Sequence, residues 1–450
     1  MRRRPVLPAL VGAAALASMS AAPRVSRANP MDTFGFGSRC AAMASACAAD
    51  VRDFSASYYN PAGLALARRL DASVGYFYAD HGLSMNGRRN AVDPVRGLVG
   101  GIVAPGAILG VPFAFGVALH LPDDRLSRVR ALPQEVPRWE LYDNRNQRLF
   151  LAANLAVSPW RWLQIGGGLS FMSSTDGRLD ITGGANLFDP TSSQLRHEVD
   201  ASLGAVRYPQ LGARVELSEE VAFAVVYRGE FKLDLDLRAR LYGDVSALTT
   251  AYYALRAVSV SAYLPQQLVW ATSYRFGPRV KANVDLTWMN YRRYVSPVAN
   301  LDVVLDIPPP PGGWPAGITP PTTPAPTKVA PLDVADRVVP HVGVEVRVLE
   351  GKRVSIDVRG GWEFMKSPFA EQTGVTNFVD RDRHMFSSGV GFEWRPPWEF
   401  MPRSLRLDVH GQVHWLVDGT TRKADPSSYV GDYTAGGSIA NLGGTLGIGF

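Results

Sequence analysis

The stretch "VAFAVVYRGEFKLDLDLRARLY" begins at Val221 and alternates almost without interruption. Odd positions from Val221 to Leu241 are apolar apart from small gaps, and Arg228, Glu230, Lys232, Asp234, Asp236, Arg238 and Arg240 lie opposite. Such a period of two belongs to a β-strand with one apolar and one polar face. Read as one strand, this stretch extends roughly 70 Å. Soluble strands usually run about 5–6 residues, and a strand crossing a bilayer needs only about 9–11. Most of its length must therefore project beyond any membrane it crosses.

The pattern recurs. In "VKANVDLTWMN", Val280, Ala282, Val284, Leu286 and Trp288 oppose Lys281, Asn283, Asp285 and Thr287. In "LRLDVHGQVHWLV", Leu405, Leu407, Val409, Val413, Trp415 and Val417 oppose Arg406, Asp408, His410, Gln412 and His414. In "VSIDVRGGWEF", Val354, Ile356, Val358, Trp362 and Phe364 oppose Ser355, Asp357, Arg359 and Glu363. Fourteen strands are expected, near 70–80, 96–106, 112–121, 147–158, 162–182, 198–217, 221–241, 256–276, 279–294, 337–349, 353–366, 383–395, 404–418 and 438–450. Their connections alternate between tight turns, such as "SPWR" (158–161) and "FGPR" (276–279), and long loops, such as 122–146 and 295–336. An even number of strands, with short turns at one rim and long loops at the other, describes an all-β transmembrane antiparallel barrel of the bacterial outer membrane.

The ends of the chain fit export. Arg2–Arg4 followed by apolar Val6–Ala22 reads as a signal peptide cleaved after Ala28. No later run approaches the length of a transmembrane helix. The net charge of +6 is spread along the chain, which argues against nucleic acid as a partner. Cys40 and Cys47, if helical, lie roughly 10 Å apart along the axis, so they are expected as apolar fillers rather than a bridge. The terminal Phe450 follows a Gly-rich strand and looks like the signal read by the outer-membrane insertion machinery.

Between leader and first strand lies "FGFGSRCAAMASACAADVRDFSASYYNPAGLALA" (34–67). Asn60 can cap a helix, and Pro61 suits a first helical position. Together with Phe34, Gly35, Gly37, Arg39, Asp53, Ser55 and the block Asn60, Pro61, Ala62 and Gly63, this segment resembles the N-terminal region of the FadL family of outer-membrane transporters for long-chain fatty acids and other hydrophobic compounds. "LPQQLVWATSYRFGPRVKANVDLTWMNY" (264–291) and "DRDRHMFSSGVGFEW" (380–394) extend the likeness. Ser45, where glycine is common, the two cysteines and a Pro-rich 295–336 loop depart from it.

The resemblance implies three parts: a leader (1–28), a hatch inside the lumen (29–69) with a helix across it, and the barrel (70–450). It implies capture of a hydrophobic solute in an extracellular groove, passive movement past the hatch on the periplasmic side, and lateral exit into outer-membrane lipid through a kink in the third strand, where Pro122 is the candidate. A fatty-acid carboxylate would be held by a lumenal cation, for which Arg228, Lys232, Lys281 and Arg359 are candidates. Residues 246–258, with Leu248, Tyr252, Tyr253 and Leu255, are read as a short loop helix, and Trp314 as a tip of the Pro-rich loop 306–331.

Catalysis, a cofactor and a metal are not expected. His410 and His414 sit about 13 Å apart along a strand, too far to share a metal. "GGGLS" (166–170) lacks the Lys and the helix of a phosphate loop. A general porin for polar solutes and a ligand-binding or adhesion barrel are the alternatives to a hydrophobic-compound transporter.

Overall fold

The computed structural model describes residues 30–450 apart from 125–132, 143–147, 185–193, 246–248, 295, 297, 299, 315–321, 327–328, 331, 399–401, 426–427 and 429. The expected leader lies outside the described residues, as do Leu248 and part of the 306–331 loop; Trp314 is half-buried.

Fourteen antiparallel strands close into one ring: β1 (Asp71–Met85), β2 (Val95–Ile108), β3 (Val111–Pro122), β4 (Phe150–Trp160), β5 (Leu163–Gly184), β6 (Gln194–Glu216), β7 (Val221–Arg228), β8 (Gln267–Phe276), β9 (Val280–Met289), β10 (Arg337–Glu350), β11 (Val354–Met365), β12 (Arg383–Trp394), β13 (Ser404–Thr421) and β14 (Tyr433–Gly449). Each pairs with the next, and β14 returns to β1 in a continuous ladder from Asp71↔Gly449 to Met85↔Ala435. Closure leaves no lipid-exposed edge, which is what lets strands cross a bilayer at all.

The ring is apolar outside and polar inside. On β9, Val284 and Leu286 are exposed while Asn283, Asp285 and Thr287 are buried. On β13, Leu407, Val409 and Val413 face out while Asp408, His410, Gln412 and His414 face in. This is the register expected from the alternation, and lipid enforces it. Val284→Arg puts a guanidinium on the outer face, at a cost of about 2–4 kcal/mol near the bilayer midplane. The expected result is a matching loss in urea-unfolding stability of the liposome-embedded barrel, against no comparable loss for Val284→Leu.

The stretch from Val221 to Leu241 is not one strand. β7 ends at Arg228, the Gly229 N–H donates to the Pro209 carbonyl (2.8 Å), and the chain resumes as the strand Phe231–Val245. Two residues out of the ladder change which parity faces in. Ala222, Ala224, Val226 and Arg228 are buried in β7, and after the break it is Phe231 that is buried, ring to ring with Tyr208 at 5.7 Å. Phe231, an odd-numbered apolar residue, thus faces in, where the odd-numbered residues of β7 face lipid.

Beyond the break, Phe231–Val245 pairs with the strand Thr249–Leu264 and, in parallel, with β5 from Arg238↔Arg178 to Tyr242↔Thr182. Asn300–Asp306 adds to Thr249–Leu264. Leu237, Leu241, Tyr253, Leu255, Val303 and Leu305 share one face of this projecting sheet, and Asp236, Arg238, Arg240, Arg256 and Asp302 share the other. Of the helix expected over 246–258, residues 246–248 lie outside the described residues and the rest is not helical. Residues 249–258 are strand because Tyr and Val suit extended backbone and the neighbouring strand offers a ladder for their peptide groups.

Candidate functional site

Residues 30–67 lie inside the ring. They form short pieces only: helices α1 (Pro30–Phe34), α2 (Ser38–Ala41) and α3 (Ala56–Tyr59), and a 3-10 helix, Pro61–Leu66. The single helix expected across the lumen is absent, because Gly35, Gly37, Ala44 and Ser45 have positive φ and turn the chain back. The same reversal corrects the reading of the cysteines. Cys40 and Cys47 are a disulfide with Cα atoms 5.8 Å apart, since a tight turn, not two helical turns, separates them.

A compact irregular segment leaves many peptide groups without helical or sheet partners, and buried ones must find partners elsewhere. The inward polar side chains of the barrel supply them. Asn154 on β4 donates to the Ser57 carbonyl (3.1 Å), Arg214 on β6 to Ala49 (2.8 Å), Ser387 on β12 to Ala42 (2.9 Å) and Gln412 on β13 to Ala41 (2.8 Å). Asp285 on β9 accepts from the Cys47 and Ala48 N–H groups (3.1 and 3.0 Å). The segment therefore touches the wall on every side.

Asn60 holds the Asn-Pro-Ala-Gly block together. Its side chain accepts from the Ala62 N–H (3.0 Å), the cap expected from sequence, and donates to the Ala48 carbonyl (2.8 Å). Gly63 has no room for a Cβ, because the Val51 carbonyl oxygen occupies that position.

Two glycine notches in the wall receive the segment. Gly166 on β5 and Gly212 on β6 lie directly opposite in their ladder. A Cβ at Gly166 would sit 2.5 Å from the Pro61 carbonyl carbon, and one at Gly212 would collide with Asn60 Oδ1. Five strands farther round, Gly343 on β10 pairs with Gly361 on β11. A Cβ at Gly343 would meet Met43 Cβ at 2.7 Å, and one at Gly361 would collide with the Met43–Ala44 peptide inside the disulfide loop. Sequence reading passed over these positions. The available signal was glycine within a strand, which marks close approach of another backbone; "GGGLS" contains the first notch.

Toward the short-turn rim an ion network ties segment to wall. Arg39 bonds Glu345 (2.9 Å) and Asp50 (2.5 Å); Lys281 reaches Asp50 (3.1 Å); Arg359 bridges Glu345 (2.7 Å) and Asp408 (2.6 Å). Arg406 stands 3.7 Å from Asp53. Burial pushes the Asp50 carboxyl up, but Arg39 and then Lys281 outweigh it and hold it at about 2. Asp53 is also lowered, with Arg406 and the Ser55 hydroxyl overcoming burial. Carboxyls held below their unfolded value of about 3.9 contribute fully above that pH and lose the contribution as pH falls through the folded value. Residues 30–67 are accordingly expected to become sensitive to pepsin as pH falls from about 4 toward 2, with cleavage mapped by mass spectrometry and the barrel intact.

The four candidate cations are not brought together. Lys281 and Arg359 belong to the network, each between carboxylates. Lys232 is half-buried on the projecting strand beyond the break. Arg228 lies on the other side of the segment, 3.6 Å from Asp32 and stacked over the Tyr58 ring at 4.8 Å. It borders a small cavity with room for about a water molecule, next to a second of similar size. Among the described residues, no cluster of His, Cys, Asp and Glu has the arrangement of a metal site.

Several solved structures share this fold over nearly their whole length. A Pseudomonas aeruginosa FadL homologue is 13% identical, with 95% of this chain and 99% of that chain covered and a TM-score of 0.54. The Pseudomonas putida toluene transporter TodX is 12% identical over 93% of this chain and 99% of that one, at a TM-score of 0.52. The Ralstonia pickettii toluene transporter TbuX is 14% identical over 93% and 99%, at a TM-score of 0.50. No family model and no curated protein matches the sequence. The fold is that of the FadL-type barrels, as the N-terminal resemblance implied.

Proposed function

We propose that this barrel carries hydrophobic small molecules across the bacterial outer membrane, with residues 29–69 as the hatch that closes it. One observation carries the reading: residues 30–67 fill the lumen and are bonded to the wall from Asn154 on β4 round to Gln412 on β13, so the ring is plugged rather than open. An open water-filled channel gives a hydrophobic solute nothing, whereas each Å² of apolar surface removed from water favours it by roughly 25 cal/mol. The apolar face of the projecting sheet is the landing surface, and displacement of the hatch is the step that opens the way. Movement is passive, driven by the solute's own gradient.

In this reading the short turns and the hatch's ion network lie at the periplasmic rim, residues 1–28 are the cleaved leader, residues 70–450 are the barrel, and Phe450 serves insertion. Lateral exit is supported at β3. Pro122 is its last residue, opposite Gly97, and the ladder to β4 stops at His120↔Phe150, so β3 outruns its neighbour on that side. The FadL homologue and the two toluene transporters suggest the solute class. A long-chain fatty acid belongs to that class; of the inward cations, Arg228 borders a cavity while Lys281 and Arg359 are held in the network.

The test is uptake of labelled toluene and of a labelled long-chain fatty acid into proteoliposomes. Saturable entry above protein-free liposomes supports the proposal, and a change in it on altering Asn60 and Pro61 in a still-folded barrel supports the hatch. Entry of small sugars and ions with no gain for either hydrophobic probe points to a general porin and ends it.

A further inference from the structure

We propose that the Cys40–Cys47 disulfide is made on the unfolded chain, by thiol–disulfide exchange with a periplasmic disulfide donor, before the barrel closes around it. The inference does not depend on what the barrel carries.

Two kinds of contact shape the turn between the cysteines. The disulfide is local: its ends are 7 positions apart. A loop that short closes in an unfolded chain at small entropic cost. The other contacts are remote. Asp285 on β9 accepts from the Cys47 N–H, and His341 on β10 donates to the Ala44 carbonyl (2.9 Å). Ser387 on β12 donates to Ala42, and Gln412 on β13 to Ala41. These partners stand 238 to 371 positions away in the chain. None of them acts until its strand is in place, whereas the disulfide needs no strand. Ala44 and Ser45 also hold positive φ (52° and 65°), which residues other than glycine seldom adopt. Closing the loop early removes alternatives from the unfolded chain. It thereby prepares the turn that the Gly343–Gly361 notch receives.

Access fixes the order. Both cysteines are wholly buried, and so is every residue between them except Ser45. The two small cavities bordering the N-terminal segment each hold about one water-sized group. Exchange needs far more room, because it passes through a mixed disulfide with the donor. One cysteine thiolate attacks the donor's disulfide, and one donor thiolate leaves. The other cysteine thiolate then attacks the chain's sulfur in the mixed disulfide, forming the Cys40–Cys47 bond and releasing the donor's second thiolate. The chain gives up two thiol protons to the medium and two electrons to the donor, which departs reduced. A donor joined to Cys40 or Cys47 has no place inside the closed ring. Disulfide donors of this kind act in oxidising compartments such as the bacterial periplasm.

The experiment times oxidation on either side of closure. One sample of the full-length chain, reduced and unfolded in urea, receives oxidised glutathione. A second is folded into detergent micelles in reductant, freed of reductant under argon, and given the same oxidant. Samples are quenched in acid, the disulfide is read by mass, and each rate is divided by that of free cysteine in the same medium. Formation is expected to be at least about tenfold slower in the heat-shifted barrel than in the unfolded chain. A reduced chain that yields no heat-shifted barrel, where the oxidised chain does, supports the same order. The unaltered barrel gives a second measurement: its disulfide should resist dithiothreitol until urea unfolds it. A smaller difference between the two oxidation rates, or reduction of the folded barrel as fast as of the unfolded chain, would overturn the proposal.

Discussion

Gly212→Leu opens the barrel to ions. The residue has no side chain because Asn60 Oδ1 and the Pro61 ring stand where one would be, and these neighbours all belong to the N-terminal segment, not to the wall. A leucine therefore keeps its place in the β5–β6 ladder and pushes out the Asn-Pro-Ala-Gly block. That block carries the Asn60 hydrogen bond to Ala48, so the disturbance reaches the turn seated on Asp285. A fourteen-stranded ring emptied of its segment is a wide polar-lined tube. Conductance in planar bilayers is expected to rise at least about tenfold over the unaltered protein. Gly166→Leu should act alike. Gly360→Leu, where a Cβ would come no nearer than 3.7 Å to the Ser387 carbonyl oxygen, should leave conductance at its starting level. Silence from both notch variants in folded barrels would mean that the segment does not depend on the notch.

Arg39→Met loosens the same segment from its other end. Arg39 is the guanidinium through which the segment meets Glu345, and it also holds Asp50. Its removal leaves two carboxylates close together, balanced by Lys281 and Arg359 with Arg52 nearby. Breaking one side of a buried ion pair costs about 3–5 kcal/mol, an upper figure here because those two cations stay. Protease nicking within residues 30–67 is the readout, at urea concentrations that leave the barrel's heat-shifted migration intact. Its midpoint is expected to fall in Arg39→Met and to recover in part when Glu345→Gln is added, since the second change removes the stranded charge. An unchanged midpoint would mean that notches and peptide contacts suffice.

The strands were readable because lipid imposes a simple rule on them. Lys281 and Asp285 had to face in once Val284 and Leu286 faced out, and they do. Asn60 and Pro61 announced their turn through local chemistry alone. What escaped the pattern depended on partners far away in the chain. Lys281 and Arg359 look like spare cations until Asp50, Glu345 and Asp408 are placed beside them. The change of face at Gly229–Glu230 is invisible to alternation, since the apolar residues stay on odd positions while Phe231 is already turned from lipid to lumen. Only Gly229 hinted at it, as a glycine inside a strand. The disulfide was missed for a related reason: residues seven apart were measured along a helix, and positive φ at Ala44 and Ser45 bends the chain instead.

The seam between β14 and β1 bears on how the molecule is built. Ser38 donates its N–H to Thr445 (3.1 Å), and Asn441 lies 3.4 Å from the Phe34 carbonyl oxygen, so the last strand grips the part of the chain that precedes the first. Those contacts join residues about four hundred positions apart, and they exist only once the final hairpin arrives. The C-terminal strand therefore both closes the ring and completes the grip on residues 34–38, and a chain shortened by that strand loses both sets of contacts.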